Sequence, residues 1–193
     1  TAWSLLWLLT GTAWASEGVQ GAKDATSSNA LTMGVSPYLP ADTLQAAFAP
    51  IAAHLSERIG RPIELVIPAS YEALLDLVIA GDVDLAYLTP ALYVQARAQS
   101  PRLRLLVTDV WEGLDFYTGY IVVRTEDGID KIEDLRGRRF GYVDPKSTSG
   151  YLLPRRFLRR IGVDPDHFFS EVRFSGDHLS ALRLLLAGDV DAI

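Results

Sequence analysis

The chain has 193 residues, of which 49% are hydrophobic and 22% charged, and its formal net charge at pH 7 is −6. This length and apolar content are sufficient for a sizeable core in one or two domains, and the acidic balance argues against a general nucleic-acid binder. The sequence contains no cysteine, which excludes disulfides, thiol catalysis and a lipid attached through an N-terminal cysteine.

The first fifteen residues have the pattern of an export signal. Residues 2–13 form an apolar run. Ala13-Trp14-Ala15, directly before Ser16, places a small residue on either side of one variable position, and signal peptidase recognises this pattern. The run is too short to span a bilayer comfortably. We predict a signal peptide at 1–15, followed by a flexible lead-in at 16–30 and a mature protein free in the periplasm. The signal peptide is predicted to be partial, because the sequence opens at Thr1 rather than Met.

Strand and helix patterns alternate from Leu31 onward. Strands are predicted at 31–35, 63–67 and 84–88, and helices from an Asp42 cap to Ile59, over Tyr71–Ala80 behind a Ser70 cap, and from Thr89-Pro90 to Ala98. Further strands are predicted at 103–110 and 117–124, the second crossing into the next part of the chain. This alternation predicts parallel sheets flanked by helices, with ligands met at the carboxyl ends of the strands.

One short motif occurs twice. Ala80-Gly81-Asp82-Val83-Asp84 recurs as Ala187-Gly188-Asp189-Val190-Asp191, each time after an apolar run at helical spacing. In both copies the glycine is placed to end a helix in the left-handed conformation, and Asp-Val-Asp leads into a strand. The repetition predicts two similar α/β lobes, at 31–115 and 116–193, although a common helix-to-strand turn would give the same match.

A hydroxyl cluster follows the predicted strand that ends near Val143. Ser147, Thr148 and Ser149 lie at the start of the next helix, where unpaired backbone N–H groups and the helix dipole favour an anion. Three hydroxyls there can surround a tetrahedral oxyanion with neutral donors. The plainer alternative is an N-cap, which needs only one hydroxyl. The cluster lies within 124–160, which contains ten Lys and Arg but only six Asp and Glu. A solvated helix face would also explain this surplus of positive charge.

The order and spacing of several motifs resemble one family, the phosphate/phosphite/phosphonate-binding proteins of ABC importers. The resemblance runs from about Leu31 to the end and is carried by Val35-Ser36-Pro37-Tyr38, Ser70-Tyr71-Glu72, the first Gly-Asp-Val-Asp, Asp144 to Gly150, and Ser175-Gly176-Asp177-His178. It implies a type II periplasmic-binding-protein fold, in which two α/β lobes close on an oxyanion. Family members continue beyond the second Gly-Asp-Val-Asp, so we expect this chain to be truncated at its C-terminus.

The resemblance also implies a ligand site and partners. The ligand would be a small phosphorus oxyanion and the partner an ABC transporter permease in the inner membrane; no catalytic residue, cofactor or metal is expected. The implied ligand-binding residues are Tyr71, Tyr117, Ser147, Thr148, Ser149 and His178. For each tyrosine, ordinary aromatic packing is the alternative. A rival function is the periplasmic sensing domain of a membrane signalling protein such as a histidine kinase. An enzyme is not favoured, because the sequence has neither a Gly-x-Ser-x-Gly hydrolase elbow nor a phosphate loop ending in Gly-Lys-Ser/Thr.

Overall fold

The computed structural model describes residues 29–110 and 113–193. The predicted signal peptide and residues 16–28 of the predicted lead-in lie outside the described residues. Within the described part of the chain, every helix is too short or too polar to cross a bilayer.

The first lobe is a three-stranded parallel sheet with three helices. Its elements are β1 (Leu31–Val35), α1 (Ala41–Ile59), β2 (Ile63–Val66), α2 (Tyr71–Ala80), β3 (Leu85–Tyr87) and α3 (Pro90–Gln99). The strand order is β2-β1-β3, with Leu31 opposite Ile63 and Met33 opposite Leu85. The most buried strand, β1, therefore lies in the centre, and Val35 is fully buried. The predicted alternation of strand and helix is confirmed for this lobe.

Local signals explain where these helices begin and end. The Ser70 hydroxyl accepts a hydrogen bond from Ala73 N at 3.1 Å, as predicted, and Gly81 closes α2 in the left-handed conformation with φ of 80°. The prediction that Asp42 caps α1 is wrong. Pro40 occupies the cap position and Asp42 lies in the first turn, where its carboxylate still favours the helix dipole. Pro50 stays inside the continuous helix α1.

The two strands predicted at 103–110 and 117–124 do not form. Within the described part of the chain, 105–110 have no backbone ladder, and the later segment is joined only by an isolated bridge from Val123 to Ala192. A strand needs a neighbouring edge with which to pair its N–H and C=O groups. Among the described residues, 105–110 therefore make no backbone pairs, and 117–124 are paired only where Val122 and Ile193 exchange two hydrogen bonds. The apolar side chains of the first segment stay exposed, with Leu106 at 72% and Val107 at 83%.

The second lobe is built on a two-stranded parallel sheet. It contains β4 (Arg139–Tyr142), α4 (Leu153–Arg160), β5 (Glu171–Phe174) and α5 (His178–Leu186), with a π-helical turn over Thr148–Leu152 before α4. After α5, Gly188 has φ of 75° and the chain returns to β4, where Ala192 bridges Phe140 in parallel. Both copies of the repeated motif thus end a helix with a left-handed glycine, as predicted. The first copy leads into β3 as predicted, whereas the second is joined to its sheet only by isolated bridges at Ala192.

The two lobes share a hydrophobic core. Each lobe has its own cluster, around Val35 and Phe48 in the first and around Phe140 and Leu158 in the second. A third cluster joins α2 and α3 of the first lobe to Val143 and Ala181 of the second; its first-lobe members are Tyr71, Leu74, Leu75, Val78, Leu92 and Ala96. The lobes are therefore packed against each other at the end of β4.

Gly150 is required by close packing. A Cβ built on Gly150 would lie 2.4 Å from Val143 Cγ2 and 3.0 Å from Ser147 Oγ. We expect Gly150→Ala to destabilise the protein by about 1–3 kcal/mol, because the β-branched Val143 side chain is buried and cannot move aside. Urea unfolding measures this. Gly119→Ala is the control, since its Cβ would meet only Ser149 Cβ at 3.8 Å; equal stability of the two variants would contradict the packing argument.

Candidate functional site

The loop after β4 is held by its own polar groups. Lys146 N donates to Asp144 Oδ1 at 2.8 Å, and Ser147 N donates to Asp144 O at 2.8 Å. The Ser147 hydroxyl accepts from Gly150 N at 3.1 Å and thereby caps the π-helical turn. The cap interpretation of Ser147 is confirmed. It leaves the hydroxyl proton of Ser147 available, because a serine oxygen that accepts one bond can still donate another.

The other two loop hydroxyls face different surroundings. The Thr148 hydroxyl accepts from Ala91 N, in the first turn of α3, at 3.0 Å. Ser149 lines a cavity of about 260 Å³ between the loop and residues 117–122, together with Tyr117 and His178. The structure thus brings three of the predicted ligand residues to one cavity, while Ser147 and Thr148 lie at the junction between the lobes.

Tyr71 places a hydroxyl at this junction. Its side chain is fully buried, and its OH has no hydrogen-bond partner among the described residues. Burial raises the pKa of Tyr71 to about 12. The Ser147 hydroxyl, which is close enough to interact with the Tyr71 OH, partly offsets this increase, and the negative charges of Asp144 and Asp177 reinforce it. Tyr71 is therefore a neutral donor in the immediate surroundings of the loop.

His178 joins the second lobe to the first through its backbone. It is the first residue of α5, behind the Asp177 cap, and its N–H donates to Tyr38 O at 3.1 Å. The imidazole is half-buried and lines the same cavity. Burial lowers the pKa of His178 below its ordinary value, and the Asp177 charge opposes this only in part. The ring is neutral at pH 7 and carries one N–H donor.

One residue that the sequence analysis missed is Lys146. It is the cation of the loop over residues 144–150 after β4, which we call the hydroxyl loop. Its ammonium lies 2.6 Å from Glu72 Oε2 and 3.3 Å from Gln95 Oε1, both in the first lobe. Its position within the loop motif was the available signal. Within residues 29–110 and 113–193, no group of three or more His, Cys, Asp and Glu side chains is arranged to hold a metal ion.

Two packed α/β lobes, with polar donors where the strands end and the lobes meet, are the architecture of periplasmic binding proteins. The solved structure of PhnD1 from Prochlorococcus marinus in complex with methylphosphonate matches with a TM-score of 0.72 at 26% identity, over 85% of this chain and 62% of that chain. This similarity confirms the predicted fold class.

The family model described as "ABC transporter, phosphonate, periplasmic substrate-binding protein" matches residues 33–193, and the chain belongs to this family. The phosphate-import protein PhnD of Mycolicibacterium smegmatis is 30% identical over 171 residues, which are 84% of this chain and 53% of that protein. The tetrathionate sensor histidine kinase TtrS of Salmonella typhimurium is 28% identical over 142 residues, 71% of this chain and 24% of the kinase. The chain thus spans about half the length of the phosphate-import relative.

The lowered pKa of His178 predicts an acid-sensitive contribution to stability. Because its folded-state pKa lies below the ordinary 6.5, the unfolded chain binds the proton more tightly, and the free energy of unfolding falls as the pH drops through 6.5. We expect His178→Asn to lose less stability than the wild type between pH 7.5 and 5.5, measured by urea unfolding.

His167 provides a control of opposite sign. Its hydrogen bond to Asp164 raises the pKa of His167 above 6.5, so its stabilising effect is present below that pH and is lost as the pH rises through the folded-state value. His167→Asn should therefore lose more stability than the wild type over the same range. Identical pH profiles for the wild type and His178→Asn would show that the His178 ring is not desolvated.

Proposed function

We propose that this protein is the solute-binding component of an ABC importer and binds a small phosphorus oxyanion, namely phosphate, phosphite or a phosphonate, in the periplasm. The observation that carries the proposal is the Tyr71 hydroxyl, which is fully buried, unpartnered among the described residues and adjacent to Ser147. An unsatisfied buried hydroxyl costs about 1–3 kcal/mol. An oxyanion at the loop would accept its hydrogen bond and remove that cost.

The donors at this site suit an oxyanion. Tyr71 and the hydroxyls at 147–149 are neutral, and burial keeps His178 neutral as well. Hydrogen bonds from neutral donors to a charged acceptor are worth about 1.5–3 kcal/mol each. We propose as ligand-binding residues the six named from the sequence, Tyr71, Tyr117, Ser147, Thr148, Ser149 and His178.

The names of two similar proteins support this ligand class. One is a phosphate-import protein and the other was solved with methylphosphonate bound. We propose further that residues 1–15 direct export, that no lipid is attached through cysteine, and that the loaded protein delivers its ligand to an inner-membrane permease. The ligand leaves chemically unchanged, because the proposed role is transport rather than catalysis.

A second candidate is the sensing domain of a membrane signalling protein. The observation that supports this second candidate is the 28% identity to a tetrathionate sensor histidine kinase over 71% of this chain. The sequence of the gene downstream distinguishes the two functions, because a sensor would continue into an apolar span of about 20 residues and a kinase module.

Calorimetric titration of the full-length protein tests the proposed ligand. We expect saturable binding of at least one among phosphate, phosphite and methylphosphonate, and weaker or no binding of sulfate and tetrathionate. Tetrathionate bound in preference to every phosphorus species would favour the sensor, and an absence of binding to all three phosphorus species would contradict the proposal.

Tyr71→Phe tests the role of the buried hydroxyl. We expect affinity for the phosphorus oxyanion to fall about ten-fold or more, because a hydrogen bond to a charged group is lost. The unliganded protein should be as stable as the wild type or more so, because an unsatisfied buried hydroxyl has been removed. Tyr142→Phe is the matched control: its buried hydroxyl belongs to the second-lobe core, and affinity should stay unchanged. A parallel loss of affinity and stability in Tyr71→Phe would indicate a packing role only.

A further inference from the structure

Lys146 reaches across the junction between the lobes. The residue belongs to the second-lobe loop, whereas its two partners, Glu72 in the first turn of α2 and Gln95 in α3, belong to the first lobe. The N–O distances are 2.6 Å to the Glu72 carboxylate and 3.3 Å to the Gln95 amide oxygen. The ammonium of the loop is therefore engaged by the opposite lobe.

Two further hydrogen bonds cross the same junction. Ala91 N donates to the Thr148 hydroxyl at 3.0 Å, and His178 N donates to Tyr38 O at 3.1 Å. Both bonds depend on the relative position of the lobes, as does the contact of Lys146 with Glu72. The contacts of Lys146 and Thr148 lie on α2 and α3, and that of His178 lies on the loop between β1 and α1.

We propose that Lys146 and Glu72 form an interlobe clasp, which stabilises the closed, ligand-holding form of the protein without either side chain contacting the ligand. The proposal rests on the proposed function, since closure on a ligand is what gives the clasp its effect on affinity. A contact present only in the closed form raises apparent affinity, because it increases the population of the form that binds.

The expected effect is modest. The Glu72 side chain is 59% exposed and Lys146 23%, so solvent screens part of their attraction. Partly exposed ion pairs of this kind correspond to an effect of about two- to five-fold on an equilibrium. The clasp therefore adjusts affinity and release, whereas the hydroxyl donors supply most of the binding.

The sign of one substitution separates the clasp from the obvious alternative, in which Lys146 binds the anion directly. Under that alternative, removing the Glu72 carboxylate frees the ammonium and removes a negative charge near the site, so anion affinity rises. If Glu72 acts through the clasp, its removal favours the open form, so affinity falls. Lys146 substitutions weaken binding in both cases and cannot distinguish them alone.

A double-mutant cycle on the full-length protein provides the test. Glu72→Ala, Lys146→Met, the double variant and the charge exchange Glu72→Lys with Lys146→Glu are titrated with phosphite and methylphosphonate. We expect each single variant to bind about two- to five-fold more weakly, the double variant to be no weaker than the singles, and the exchange to recover affinity. Asp76→Ala, one turn further along the exposed face of α2, should bind as the wild type does. Unchanged or tighter binding by Glu72→Ala would overturn the clasp.

A second readout does not depend on the ligand. Because the sequence has no cysteine, Glu57→Cys on α1 and Arg156→Cys on α4 introduce a single pair of labels on the two lobes for distance measurement by electron spin resonance. Without ligand, Glu72→Ala and high salt should both lengthen the distance distribution. An unchanged distribution overturns the clasp even if no phosphorus oxyanion binds, whereas a lengthened distribution with no binding contradicts only the proposed ligand.

Discussion

The packing of α2 against the end of β4 is the contact on which the candidate site depends. Tyr71 lies in the shared core with Leu74 and with Val143 of the second lobe. The aromatic ring contributes to that core, while the hydroxyl at its far end faces the Ser147 loop. Because one side chain serves both purposes, the hydrogen-bonding surface is assembled only when the lobes are in contact. Apolar burial thus supplies the driving force for lobe contact, and the polar groups at its edge are the proposed ligand donors.

In the candidate site, the proposed ligand donors are uncharged and the charged side chain is paired elsewhere. Its donors are hydroxyls and a neutral imidazole, and the cation of the loop, Lys146, is neutralised by Glu72. A buried ammonium would attract any anion by charge alone, whereas hydroxyls select by direction and distance. Neutral donors also avoid the large desolvation cost of burying an unpaired cation. This arrangement agrees with the proposed binding and release of a small oxyanion.

Features set by nearby residues were predictable, and features set by distant ones were not. The Ser70 cap, the left-handed Gly81 and Gly188, and the alternation in the first lobe all follow from signals within a few positions. The strands expected at 103–110 and 117–124 failed because apolar alternation cannot reveal whether a neighbouring edge exists. Gly150 is needed because its missing side chain lets Val143 approach, a contact that the residues next to it do not indicate. The pairing of Lys146 with Glu72 joins residues far apart in sequence, and no local pattern predicts it.

The π-helical turn at Thr148–Leu152 restricts how the hydroxyl loop can change during evolution. Leu152 N donates to Ser147 O, so the turn contains one residue more than an α-helical turn would. Deleting that residue would restore α-helical geometry and rotate α4 by about 100° relative to the loop. Leu158, now fully buried in the second lobe, would then turn away from its core. Loop length and helix packing are thus coupled, and variation at this position must proceed by exchange of side chains rather than by insertion or deletion.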